Sequence, residues 1–196
     1  MGSGWGEFAF EAIQRGAIVY GIEPDSELLE ISVMLLGKQG TFAKARAEAI
    51  PFRDETFDIV ICYAVIEHVK DVRACLEEMI RVLRKGGYLY LRAPNYLYPY
   101  EGHYKIRWIP LLPKPLAKIH LRLLGRNPTF IQDINYNSNY LYLSRQLKRK
   151  DVVVRNLIME QSKHHLRSRH FLKRLIMALR IYAYITRSIE LLIKKT

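Results

Sequence analysis

Gly2-Ser3-Gly4-Trp5-Gly6, GSGWG, opens the chain and runs straight into a helical pattern, Phe8, Phe10, Ala12 and Ile13, with Glu7 and Glu11 on the other face. Glycine tolerates positive φ and has no Cβ to collide, so a turn of this kind lets backbone N–H groups approach a ligand at a helix start. A short strand pattern follows, AIVYGI at Ala17–Ile22, ending in Glu23, Pro24 and Asp25. An acidic side chain at the end of that strand is placed to accept hydrogen bonds from the two hydroxyls of a ribose.

The pattern repeats outward from this point. Asp25 or Ser26 can cap a helix from Glu27 to about Leu36 with Leu28, Leu29, Ile31 and Leu35 as its apolar stripe. Thr41–Ala45 is a weakly patterned strand. Phe57–Tyr63, FDIVICY, is a near-continuous apolar run of the sort found in strands buried on both faces. A helix is expected from about Asp71 to Leu83, stopped by Lys85, Gly86 and Gly87, and then a strand, YLYLRA, at Tyr88–Ala93. Strands alternating with helices of about ten residues imply a parallel sheet covered on both faces, with ligands at the carboxyl ends of its strands. Gly2–Gly6, Glu23, Ala47 and His68 all fall at such ends.

Charge divides the chain in two. Residues 1–95 hold 11 Lys/Arg against 14 Asp/Glu, whereas residues 96–196 hold 20 against 5. A basic half points to an anionic partner or to a solvated face. No apolar run reaches the roughly 20 residues of a membrane span, and the start lacks the order of a signal peptide, so a cytoplasmic location is expected. Cys62 and Cys75 lack metal-ligand spacing and are expected to be small buried hydrophobes.

GSGWG, GIEPD, AEAIPF, FDIV with VIEHV, and RVLRKGG with LRAPN, in this order and at these distances, resemble class I S-adenosylmethionine-dependent methyltransferases. Within them the chain is similar to the group with a type 11 methyltransferase domain, over about residues 2–95. A dinucleotide-binding dehydrogenase would want a third glycine where Glu7 stands. The resemblance implies an α/β fold with a Rossmann-like, mostly parallel sheet and a C-terminal antiparallel hairpin, N-terminally truncated because the first strand would precede Met1. Its sheet order would leave a gap between the strand at 17–22 and that at 57–63. It implies one methyltransferase domain over residues 1–196, with a cofactor-binding half at 2–95, an aromatic, basic substrate lid at 96–137, and helices and sheet-completing strands at 138–196.

Carried over by position, the resemblance implies that Gly2, Gly4 and Gly6 wrap the methionine part of S-adenosylmethionine. Glu23 would hold its ribose, Ile22 or Pro24 would pack on the adenine, and Ala47 with Glu48 would lie along the adenine edge. Arg46 stands where an acid often meets the adenine amino group. Glu67 and His68 resemble a metal-binding pattern of some RNA methyltransferases, but Ala64 stands in place of its first glutamate, so no metal is expected.

The lid carries Tyr96, Tyr98, Tyr100, Tyr104, Trp108, Phe130 and Tyr136. A connection this long inside a domain usually has a task. Glu101, His103 and Tyr104 are its most site-like residues, because a histidine beside a carboxylate can take a proton near neutral pH. His68 and His103 are therefore the candidate bases, with packing as the alternative role of each. Lys114–Arg126 forms an amphipathic basic helix in which Leu116, Ile119, Leu123 and Leu124 oppose Lys118 and Arg122; it is expected to pack on the domain or to lie on an anionic membrane. Tyr140–Lys150 is expected to be a helix, Asp151–Met159 a strand, His164 to about Ile185 a long basic helix, and Ser188–Ile193 a strand.

The expected function is methyl transfer to a small acceptor, anionic or lipid-like, with peripheral contact to an anionic membrane. Nucleic acid ranks below these as a partner, since no recognition-helix signature is present; oligomeric state is not readable. The alternatives are a non-catalytic or unstable fragment of such an enzyme, or an RNA-directed methyltransferase.

Overall fold

The computed structural model describes residues 1–148, 150–164, 184 and 186–196. In chain order the elements are α1 (Glu7–Gln14), β1 (Val19–Glu23), α2 (Ser26–Leu36), β2 (Gly40–Lys44), β3 (Phe57–Tyr63), α3 (Val72–Val82), β4 (Leu83–Pro94), β5 (Tyr100–Glu101), β6 (Ile106–Arg107), α4 (Lys114–Leu123), α5 (Tyr140–Leu147), β7 (Val152–Asn156), α6 (Leu157–His164) and β8 (Ser188–Lys195). Among the described residues four helices begin on a side chain that satisfies open N–H groups, α6 on Asn156 and three others. Asp25 accepts from Glu27 N and Leu28 N, Asp71 from Arg73 N and Ala74 N, and Asn139 from Tyr142 N, each worth about 1 kcal/mol.

The Rossmann-like α/β architecture is present, with parallel pairs β1–β2 and β3–β4 and antiparallel strands at the C-terminus. β8 lies between β4 and β7, antiparallel to both. Its alternation sends Ile189, Leu191 and Ile193 inward, onto a core that holds Leu89 and Leu91 of β4 and Val72, Leu76 and Met79 of α3. Cys62 and Cys75 are free and fully buried in the same core, where desolvation pushes the Cys62 thiol up to about 12.

β1–β2 and the four-stranded β3-β4-β8-β7 form two separate sheets. Between β1 and β3, where the expected gap falls, runs an open groove of about 520 Å³ lined by apolar groups that include Tyr20, Ile22, Phe57, Ile59 and Ile61. Residues 1–3 bridge it near the carboxyl ends of the strands: the Met1 amino group donates to Ile61 O at 2.9 Å and Ser3 N to Ile22 O at 3.1 Å. Tyr20, Phe52 and Phe57 add a three-ring contact across it, with centroids 5.1–5.5 Å apart.

Several local expectations are corrected. α2 buries Ser32 and Leu36 and exposes Val33, Met34 and Leu35, because its inward face is the one that meets the glycine turn: Ser32 Oγ donates to Gly4 O at 2.6 Å. In α1 only Ala9 is buried, and Phe8 and Phe10 are exposed. The segment 83–87 extends β4 instead of forming a loop, with Gly86 at φ 77° and Gly87 so close to Asp58 O and Arg84 O that a Cβ would lie 2.9 Å from each. The strand expected over 151–159 stops at Asn156, whose side chain accepts from Met159 N at 3.0 Å and starts α6. The helix expected over 164–185 falls almost wholly outside the described residues. Leu116, Ile119 and Leu123 are exposed on α4, which instead buries Ala117 and Leu121. Those two belong to a second core in the lid, with Tyr96, Trp108, Ile131 and Ile134.

Candidate functional site

The glycine turn sits at the carboxyl end of β1 and is held there by the side chain that follows it. Glu23 is buried, its Oε2 accepting from Gly4 N at 2.9 Å and its Oε1 from Asp25 N at 3.2 Å. A carboxylate has about four acceptor positions, so two remain for a diol. Gly2, Gly4 and Gly6 all have positive φ. A Cβ on Gly2 would lie 2.5 Å from Val65 Cγ2, whereas one on Gly4 would meet nothing within 4 Å. The turn is thus packed beneath Gly2 and open above Gly4, as a backbone surface that receives a ligand must be.

Across from the turn lies the segment after β2. Arg81 of α3 fastens it, donating to Phe52 O at 2.8 Å and Ile50 O at 3.0 Å, while Glu78 accepts from Ile50 N at 2.7 Å. Ala47 and Glu48 are thereby held facing Pro24 in a cleft of about 70 Å³ lined also by Gly2, Ile22, Arg46, Val65 and His68. Glu48 Oε1 accepts from Lys70 N at 2.7 Å, which ties this side to the loop after β3. Five of the nine residues expected from the sequence, Gly2, Pro24, Ala47, Glu48 and His68, line this one cleft; Glu23 stands next to its Ile22 and Pro24 and holds Gly4 of the turn beside it. The larger groove between β1 and β3 is apolar and carries none of the carboxylates or histidines of the expected site.

His103 is supplied by the connection 96–137, the segment expected to act as a lid. β5 and β6 pair as a small antiparallel hairpin with Glu101 opposite Ile106, and the buried Glu101 accepts from Tyr104 N at 2.6 Å and pairs with His103 Nδ1 at 2.8 Å. A carboxylate only accepts, so Nδ1 carries the proton and Nε2 is left with its lone pair. The Glu101 hydrogen bond raises the His103 pKa above the ordinary histidine value. The His103 ring lies 6.2 Å from that of His68 and 4.4 Å from that of Phe130. His68 is shifted the other way, chiefly by desolvation and then by the positive charge that His103 can carry. One histidine is set to hold a proton and its neighbour to refuse one.

Three contributors were not identified from sequence. Glu67 is buried, with Oε2 lacking a hydrogen-bond partner among the described residues, and burial pushes its carboxyl up to about 7. Asn135 fixes the lid to the loop after β3, its N donating to Glu67 O at 2.7 Å and its Nδ2 to Val69 O at 2.9 Å. Asn95 fixes the lid's other root, its Oδ1 accepting from Leu97 N and Tyr140 N and its Nδ2 donating to Tyr184 O and Thr186 O. Asn95 had a local signal, as the residue after Pro94 that ends β4, and Glu67 had one in its resemblance, with His68, to a metal-binding pattern, which gave it no part in the site; Asn135 acts through contacts distant in sequence.

Residues 1–91 match a family profile described as "Methyltransferase domain". An uncharacterized methyltransferase of Mycolicibacterium vanbaalenii is 35% identical over 129 residues, covering 65% of this chain and 51% of that protein. One of Mycobacterium leprae is 36% identical over 104 residues, 53% of this chain and 39% of that protein. The chain spans about half the length, or less, of the curated relatives it matches. Among solved structures, an S-adenosylmethionine-dependent methyltransferase from Mesorhizobium loti superposes with a TM-score of 0.64 over 99% of this chain and 88% of its own, at 14% identity. Phosphoethanolamine N-methyltransferase 2 of Haemonchus contortus, in complex with S-adenosyl-L-methionine, gives 0.61 over 99% of this chain and 47% of its own, at 17% identity. These structures share the fold.

Proposed function

We propose that this chain, whose residues 1–91 belong to the methyltransferase-domain family, binds S-adenosylmethionine across the GSGWG turn and passes its methyl group to a small acceptor held under the lid. The observation that carries this is the meeting of Gly2, Pro24, Ala47, Glu48 and His68 at one cleft beside an open Gly4 that Glu23 holds. The residues fit the cofactor: the Glu23 carboxylate has two acceptor positions left for a ribose diol, and no side chain stands over Gly4. The enclosed part of the cleft is far below the roughly 300–1,000 Å³ of a whole small-molecule site, so it takes one edge of the cofactor, and the remainder lies over the turn. When bound, S-adenosylmethionine supplies an electrophilic sulfonium methyl.

The chain's own task is then alignment, exclusion of water and, for an acceptor that must lose a proton, a base. His103 is set for that role, with Nδ1 engaged by Glu101 and Nε2 unprotonated above its raised pKa. His68 lines the cleft and acts as a neutral wall. A base of this kind typically contributes about 10²–10⁴-fold, so His103→Asn should lower kcat within that range and leave cofactor affinity within a few fold. The acidic limb of the pH–rate profile should lie above that of an ordinary histidine, and Glu101→Gln should move it down.

Calorimetry with S-adenosylhomocysteine tests the binding claim, and no heat from a folded sample would sink it. Transfer of a labelled methyl group to fractionated cell extract tests the reaction. A second reading, cofactor binding without turnover by this chain alone, is favoured by the groove that splits the sheet beneath the turn; it predicts heat in the first experiment and no transfer in the second.

A further inference from the structure

We propose that the outward face of α4 docks the protein on an anionic lipid bilayer. A ten-residue helix normally offers one apolar stripe to its core and a polar face to water. α4 has a second apolar stripe. Ala117 and Leu121 are fully buried in the lid core, while Leu116, Ile119 and Leu123, at i, i+3 and i+7, are 53%, 53% and 81% exposed. The turn entering the helix adds Ile109 and Leu111, and the residue after it adds Leu124, all exposed.

The surrounding charge identifies the occupant. Residues 102–132 contain no Asp or Glu and six Lys or Arg. Of these, Lys114 is turned inward to Gln132 O, whereas Lys105, Arg107, Arg122 and Arg126 are exposed and Lys118 is half-buried. Lys118 and Arg122 lie on the helix beside Ile119 and Leu123, so an apolar strip is bordered by cations with no acid near it in sequence. A protein surface would be expected to match such a strip with apolar contacts; a layer of anionic headgroups over acyl chains matches both parts at once. Among the described residues no helix is long and apolar enough to cross a membrane, so the contact is interfacial. Since α4 shares its core with Trp108 and Tyr104 of the segment that carries His103, docking there would bring the lid to the bilayer.

Sedimentation of the full chain with phosphatidylcholine vesicles, with or without phosphatidylglycerol, tests this. The chain should sediment with the mixed vesicles, remain in solution with the neutral ones, and be released by raised salt. Leu116→Gln/Ile119→Gln/Leu123→Gln should weaken binding by roughly tenfold or more, given the apolar area withdrawn. Lys118→Gln/Arg122→Gln should weaken it roughly 25-fold, at about fivefold per basic side chain. None of these positions is in a core, so the thermal midpoint should be unchanged; Leu123→Gln alone, at the most exposed site, gives the same test with the least disturbance. Failure to sediment with either vesicle, equal binding to both, or indifference to the apolar and basic variants overturns the proposal, as does capture by RNA in place of vesicles.

Discussion

The four-stranded sheet and the pair β1–β2 carry their burial very unequally. In the four-stranded sheet Leu89, Leu91, Leu191 and Ile193 are fully shielded, and α3 adds Val72, Leu76 and Met79 from one face. In the pair β1–β2 burial is confined to Gly21, Ile22 and Glu23 at the end of β1; no residue of β2 is buried, Ile18 just before β1 is 87% exposed, and the covering helix α2 leaves Val33, Met34 and Leu35 in solvent. The glycine turn and Glu23 belong to the poorly buried pair, whereas Ala47, Glu48 and His68 are fastened to the well buried sheet through Glu78, Arg81 and Lys70 N. A ligand at the cleft would therefore touch both bodies, and its binding would add stability mainly where the fold has least of its own.

Truncation in the core separates the two bodies most sharply. Leu91→Ala should cost about 2–5 kcal/mol, whereas Tyr20→Ala, at a half-exposed ring on the groove, should cost about 1 kcal/mol or less; urea denaturation measures both, and equal costs would break the comparison. Next in size is Glu67, a charge cost carried by the well buried side. Its carboxyl titrates near 7 instead of 4.5, so between those values the folded chain holds a proton that the unfolded chain has released, and stability falls as pH rises through the window. Glu67→Gln should abolish that fall and be more stable than the native chain by on the order of 3 kcal/mol at about pH 8. A stability curve that stays flat from about pH 4.5 to 8 in the native chain would contradict this.

Glu23→Gln should weaken S-adenosylhomocysteine binding about 10–100-fold, the loss expected for hydrogen bonds to a charged group, and calorimetry reads it directly. The smallest effect is kinetic. Amides of β1 and β2 should exchange faster than those of β4 and β8 without ligand, and added S-adenosylhomocysteine should slow the first set more than the second. Uniform protection would mean that the two bodies open together.

The strands were legible where burial is carried by the chain's own pattern. FDIVICY was legible as a strand but not as one buried on both faces, since β3 is the edge of the four-stranded sheet beside the groove, with only Val60 and Cys62 buried and Ile59 62% exposed, whereas SIELLI alternates because β8 turns one face to the core. Asp25 was legible as one of two candidate caps, and Asp71 as the start of a helix, because their partners lie two and three residues away. Glu23 was legible as a carboxylate at the carboxyl end of β1, the place where ligands gather in this kind of sheet. Asn156 was missed as a helix start inside an apolar run, though its bond to Met159 N is a local one.

The sequence by itself determined the alternation of strands and helices over residues 7–94, the resemblance to class I methyltransferases, and which residues stand at the carboxyl ends, since each follows from local periodicity, capping and motif order. Only the tertiary structure decided which stripe of α4 faces inward, that Glu67 is buried while His68 reaches the cleft, and that His103 is oriented by Glu101 through its Nδ1. Periodicity establishes that a helix has faces, but the choice between them depends on where Trp108, Ile131 and Ile134 pack, and those contacts join residues the local pattern does not connect.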